Sequence, residues 1–128
     1  TVMPYVGGDC VPQDTDKAVF AVVRTANESS GEVQNLIAGD RPLYAAVAQQ
    51  MARKGAALVV ETGYSLDVKE VRKRAGSAFL LLPCCDGQNA LPAFDDLGHG
   101  AMVVDYDLQY SGDVDAAIQE MKAWVNVL

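Results

Sequence analysis

Histidine and tryptophan are nearly missing from this chain, at one residue each, and cysteine occurs only three times in 128 residues. No C-x-x-C or Cys/His spacing typical of zinc is present, which excludes the usual structural zinc sites. A Ser/His/Asp relay would have to use His99, which sits between Gly98 and Gly100 and reads more simply as a loop histidine. Cys10, Cys84 and Cys85 cannot all pair, and the two adjacent ones make a poor disulfide, so a reducing compartment and a cytoplasmic location are expected. Cys85 follows an apolar run and reads as a buried cysteine more readily than as a reactive thiol. Long apolar runs are absent as well: the stretches 18–23 and 78–83 fall far short of the roughly 18 residues that span a membrane. No basic start, apolar stretch and small-residue cleavage pattern marks a leader. Neither G-x-G-x-x-G, G-x-x-x-x-G-K-[ST] nor G-x-S-x-G occurs, so dinucleotide, P-loop and nucleophile-elbow chemistry lack their signatures.

Basic residues are scarce in one region. Residues 1–85 carry nine acidic and nine basic side chains, whereas 86–128 carry eight acidic ones and only Lys122, giving a formal net charge of −7. Such a surface repels phosphate backbones, so nucleic acid is not an expected partner unless metal ions mediate. Arg53, Lys54, Lys69, Arg72, Lys73 and Arg74 are the local exception, readable as a solvated helix face or as a polyanion patch.

What is present is apolar content of 50%, enough for a chain of this length to bury a core without disulfide or metal. Residues 1–128 are expected to form a single α/β domain. The run 17–24 is apolar between charged ends, as in a strand covered on both faces. Residues 57–60, 78–82 and 101–104 read the same way, and 2–6, with Pro4, reads as a short edge strand. Between them, Asp40 and Pro42 can open a helix carrying Leu43, Ala46, Val47 and Met51 on one face and stopped by Gly55. Asp67 and Glu70 resemble a capping box for a second helix with Val68, Val71 and Ala75 inward, ending at Gly76. A turn of helix is expected at 93–97. Val114, Ala117, Ile118, Met121 and Val125 predict a last helix whose stripe, with Trp124, reads as core. Continuous apolar strands separated by amphipathic helices predict a three-layer, mainly parallel sheet of four to five strands with helices on both faces, Rossmann-like or flavodoxin-like.

Right-handed crossovers would bring Glu61, the segment 84–86, Asp105 and Asp107 to one rim. Three carboxylates there suit Mg²⁺, or one raised carboxyl acting as a general acid. Acidic residues after strands also commonly cap the next helix or face solvent. The run Val59-Val60-Glu61 with Gly63-Tyr64, and later Val103-Val104-Asp105-Tyr106-Asp107, resembles the TOPRIM domain of primases, topoisomerases and some nucleases over residues 58–125. That resemblance implies Mg²⁺-dependent phosphoryl transfer, with Glu61 as acid/base and Asp105 and Asp107 as metal ligands. A fainter resemblance, to nucleoside deoxyribosyltransferases and nucleotide N-glycosidases, implies Glu70 as nucleophile. Taken without a strong catalytic motif, the chain is expected to be a small acidic binding or assembly module. Its expected partner is another protein or a second copy of itself, with no membrane involved; whether it is an enzyme stays open.

Overall fold

The computed structural model describes residues 1–83, 87–94 and 101–103, together with Asp115 and Gln119. Four parallel strands form the main sheet: β1 (Phe20–Arg24), β4 (Ala57–Val60), β5 (Leu80–Leu82) and β6 (Ala101–Val103), in that spatial order. A short antiparallel pair, β2 (Ile37–Ala38) and β3 (Arg41–Pro42), lies between β1 and β4 in sequence. The helices are α1 (Gly31–Gln34), α2 (Leu43–Arg53), α3 (Ser65–Ala75) and α4 (Gly87–Ala90).

The strands expected at 57–60, 78–82 and 101–104 are present within a residue or two, and that at 17–24 as its second half. Residues 2–6 divide: Val2 bridges in parallel to Ala21, its N–H donating to the Phe20 carbonyl at 2.9 Å, and Pro4–Val6 then turns as a 3₁₀ helix. Proline lacks the N–H that a longer strand would need.

Parallel β strands in α/β units alternate which face their side chains meet, and register fixes the rows here. Ala21, Leu58 and Leu80 form one row, and Val22, Val59 and Leu81 the next. The first row is buried and belongs to the core with Tyr44, Ala45, Ala48 and Met51 of α2 and Val68, Val71 and Ala75 of α3. Val22, Val59 and Leu81 lie outside that core cluster. The three positions expected to face inward from α3 do so. On α2 Met51 is buried as expected, while Tyr44, Ala45 and Ala48 take the buried places expected of Leu43, Ala46 and Val47, the helix beginning at Leu43 after an extended Pro42 (ψ 153°).

The doubly wound arrangement expected from the sequence requires a reversal of strand order. No reversal occurs among the described strands, which follow chain order across the sheet. Moreover α2 and α3 pack against each other, and so lie on the same face. What stands is an α/β chain with a parallel sheet and covering helices. Of the helical turn expected at 93–97, residues 95–97 lie outside the described residues; α4 and a 3₁₀ turn at Leu91–Ala93 precede them. Of the expected last helix, Asp115 and Gln119 are helical and exposed, and its apolar stripe lies outside the described residues.

Candidate functional site

Parallel sheets bind ligands at the carboxyl ends of their strands, where the chain turns away into loops. At the ends of β1 and β4 the segments 24–35 and 61–64 enclose a cavity of about 460 Å³. Its walls include Asn27, Glu28 and Asn35 from the first segment and Glu61, Thr62 and Tyr64 from the second.

The floor is made by an irregularity in β1. Register runs Val22 to Val59 and then Arg24 to Val60, so Val23 is an extra residue. Such a bulge re-aims the side chain that follows it. Arg24 therefore takes the register of Val60, a residue of the helix-side core, and is buried at 8% exposure. A guanidinium there needs partners. Its Nε lies 3.5 Å from Asp67 Oδ2, an ion-pair separation that does not amount to a hydrogen bond. One terminal nitrogen donates to Ser30 Oγ at 3.0 Å and to Gln34 Oε1 at 2.9 Å, and the guanidinium sits 5.2 Å from the centre of the Tyr44 ring.

Gln34 ties the loop after β1 back on itself. Its Oε1 also accepts the Thr25 N–H at 2.9 Å, and its Nε2 donates to Thr25 Oγ1 at 2.7 Å. Asp67 performs the matching task after β4. It accepts the buried Thr62 hydroxyl at 2.8 Å and the Tyr44 hydroxyl at 3.3 Å, while Thr62 Oγ1 accepts the Tyr64 N–H at 3.2 Å. Burial, reinforced by the Asp67 charge, pushes the Tyr44 phenol well above its ordinary range, so it remains a donor. The capping box expected of Asp67 and Glu70 does not form: α3 starts at Ser65, with Tyr64 at the cap position and no side-chain cap.

Of the candidate residues, Glu61 lines the cavity, half-buried, and no described residue engages its side chain. Glu70 does not line it; its Oε1 accepts from Arg74 Nε at 3.0 Å, one turn along α3. Asp105 and Asp107, and with them the meeting of three carboxylates, lie outside the described residues, as do Cys84, Cys85 and His99. Among the described residues no group of three or more His, Cys, Asp or Glu could hold a metal ion. The supposed basic patch is partly consumed: Arg72 donates to the carbonyls of Ala93, Gly76 and Ala78, and Arg74 pairs with Glu70 and Asp40.

Chemically, the cavity presents the carboxylates Glu28 and Glu61 and the amides Asn27 and Asn35, while the charge of Arg24 is offset by Asp67. Carboxylates accept from hydroxyls and N–H groups and repel phosphate. The described lining contains neither lysine nor histidine.

The geometry has counterparts in solved structures. The chain superposes on the structure of Leishmania donovani OMP decarboxylase with a TM-score of 0.80 and 31% identity, over 98% of this chain and 54% of that one. The chain is similar to orotidine 5'-phosphate decarboxylases. Leishmania donovani UMP synthase gives a TM-score of 0.78 at 30% identity, over 97% of this chain and 31% of that one. In sequence, orotidine 5'-phosphate decarboxylase of Clostridium novyi is 33% identical over 101 residues, which cover 65% of this chain and 35% of the relative. The chain thus spans about a third of the curated relatives it matches and about half of the first of these structures. No family model matches the sequence.

These likenesses overturn the TOPRIM and deoxyribosyltransferase resemblances. With them go the readings as a non-catalytic assembly module, a Mg²⁺-dependent phosphoryl-transfer domain or an N-glycosidase. The physical reason is that a carboxylate at the end of a parallel strand, as at Glu61, follows from the architecture and does not distinguish one α/β family from another. Arg24 and Gln34 were missed. The available signal was a charged residue closing a run of strand residues read as buried on both faces, which demands a partner elsewhere in the chain.

Proposed function

We propose that this chain forms part of an orotidine 5'-phosphate decarboxylase-type enzyme and supplies one wall of its nucleotide site, at the ends of β1 and β4. The observation that carries this reading is the likeness over 98% of the chain to Leishmania donovani OMP decarboxylase, at 31% identity. The sheet supports it. Parallel strands in chain order with both long helices on one face make an arc that closes into a barrel when continued. In such a barrel Val22, Val59 and Leu81 belong to the interior, which branched apolar side chains fill.

Within that site the acidic and amide wall suits the sugar hydroxyls and the heterocycle edge of a nucleotide, and the phosphate binds beyond it. Self-association is retained in this reading on the exposed apolar side chains Val33, Leu36 and Ile37, at 55, 57 and 74% exposure. No described helix is long and apolar enough to cross a membrane.

The reading is tested by titrating uridine 5'-phosphate, the product of the reaction, into the isotope-labelled full chain and following backbone NMR signals. Saturable shifts are expected at Asn27, Gly31, Glu61 and Gly63, and they should weaken in Asn27→Ala. No response at millimolar nucleotide, or shifts spread evenly over the chain, overturns it.

A further inference from the structure

The two loops that wall the cavity leave different strands, yet one chain of polar contacts joins them beneath the surface. Gln34 holds the first loop through Thr25, Arg24 reaches Gln34 at 2.9 Å, and Asp67 stands 3.5 Å from Arg24 while accepting the Thr62 hydroxyl of the second loop at 2.8 Å. We infer that Asp67, Arg24 and Gln34 are positioning residues that couple the loops after β1 and β4, so that each loop is held in its cavity-forming arrangement only while the other is. The ligand part of this inference rests on the nucleotide reading above; the coupling itself does not.

Three features carry it. The Arg24 charge is buried by the strand bulge and has its one described acidic partner in Asp67, on a different element. A buried guanidinium deprived of its counter-charge rearranges or draws in water. The same nitrogen that bonds Gln34 also bonds Ser30 and, at 3.4 Å, the Thr25 carbonyl, so a shift of Arg24 releases the first loop at three points. Gln34 in turn uses both ends of its amide on Thr25, at 2.9 and 2.7 Å, leaving the loop no other described side-chain clamp on that amide. The bonds from Arg24 to Gln34 and Ser30 are charge-assisted and individually stronger than neutral ones, and the ion pair with Asp67 continues the relay to the second loop.

Hydrogen exchange at the Thr25 amide reads the coupling without any ligand. Asp67 does not touch Thr25, so Asp67→Asn, which keeps the shape and the Thr62 acceptor, tests transmission. It is expected to speed Thr25 exchange about tenfold, with Gln34→Ala doing the same directly. Gln34→Glu retains the acceptor for Arg24 and for the Thr25 N–H and should stay within about twofold of the parent chain. Glu70→Gln breaks the separate pair with Arg74 on the same helix and serves as the control for general loosening of α3. Unchanged Thr25 exchange in Asp67→Asn, or an equal rise in Glu70→Gln, overturns the coupling. Uridine 5'-phosphate affinity is then measured on the same variants. A loss of about tenfold in Asp67→Asn and Gln34→Ala, with rescue in Gln34→Glu, supports the role in ligand positioning. If the parent chain binds no nucleotide, the nucleotide reading fails while the exchange result still decides the coupling.

Discussion

Tyr5 shows how a single side chain ties the start of the chain to the sheet. Its hydroxyl donates to the Val23 carbonyl at 2.7 Å, at the bulge that turns Arg24 inward. Burial pushes the phenol up to about 12, against a small opposing pull from Arg24. A group that holds its proton more tightly folded than unfolded stabilises the fold fully below its unfolded pKa, about 10 for tyrosine, and loses that contribution as pH rises through the folded value. Stability should therefore fall between about pH 10 and pH 12, with Tyr44 adding to the decline across the same window. In Tyr5→Phe, denaturant midpoints measured from pH 8 to 12 should show a shallower loss; an unchanged slope would assign the effect elsewhere. At this scale the sequence was least informative about Arg24 and Asp67. Their roles depend on a bulge and on a contact between elements, and neither leaves a local pattern. Glu61 was legible as a strand-end carboxylate and does line the cavity, whereas Glu70, read as a cap and through a resemblance as a nucleophile, is occupied by Arg74.

Elements were far more legible, for a physical reason that the two long helices illustrate. α3 carries Val68, Val71 and Ala75 at helical spacing, and all three are buried. α2 has apolar residues around much of its circumference, so periodicity alone could not tell which line faces the sheet, and Tyr44 took the place expected of Leu43. Stops were clear in both. Gly55 and Gly76 adopt φ of 84° and 62°, backbone that side chains with a Cβ avoid. At Gly76 an added Cβ would meet nothing within 4 Å, so the cost of Gly76→Ala is purely conformational. It should destabilise the chain by about 1–3 kcal/mol in chemical denaturation.

For the whole molecule, the class of fold was visible in the apolar runs, and its winding was not. Strand order is decided by which edges meet, and the same β-α-β units can be laid side by side in chain order or reversed about a central strand. Of the segments that carried the TOPRIM resemblance, 59–64 borders the cavity, while 104–107 falls outside the described residues. The measurable expectation at this scale is a gradient of protection. β4 and β5 are paired on both sides, whereas among the described residues β1 meets only β4 and the Val2 bridge. Amides of Leu58, Val60 and Leu82 should exchange most slowly in the full chain, and those of Ile37 and Ala38 in the two-stranded ribbon quickly. Equal protection in the two sheets would contradict this order.

The strand order also bears on how the chain comes off the ribosome. Each strand of the main sheet pairs with the one synthesised just before it, so β4 can dock as soon as α2 has emerged, and β5 as soon as α3 has. No described strand of that sheet has to hold an unfilled gap for a later insertion. Among the described strands after β1, the edge exposed as each one docks is the edge that the next strand covers.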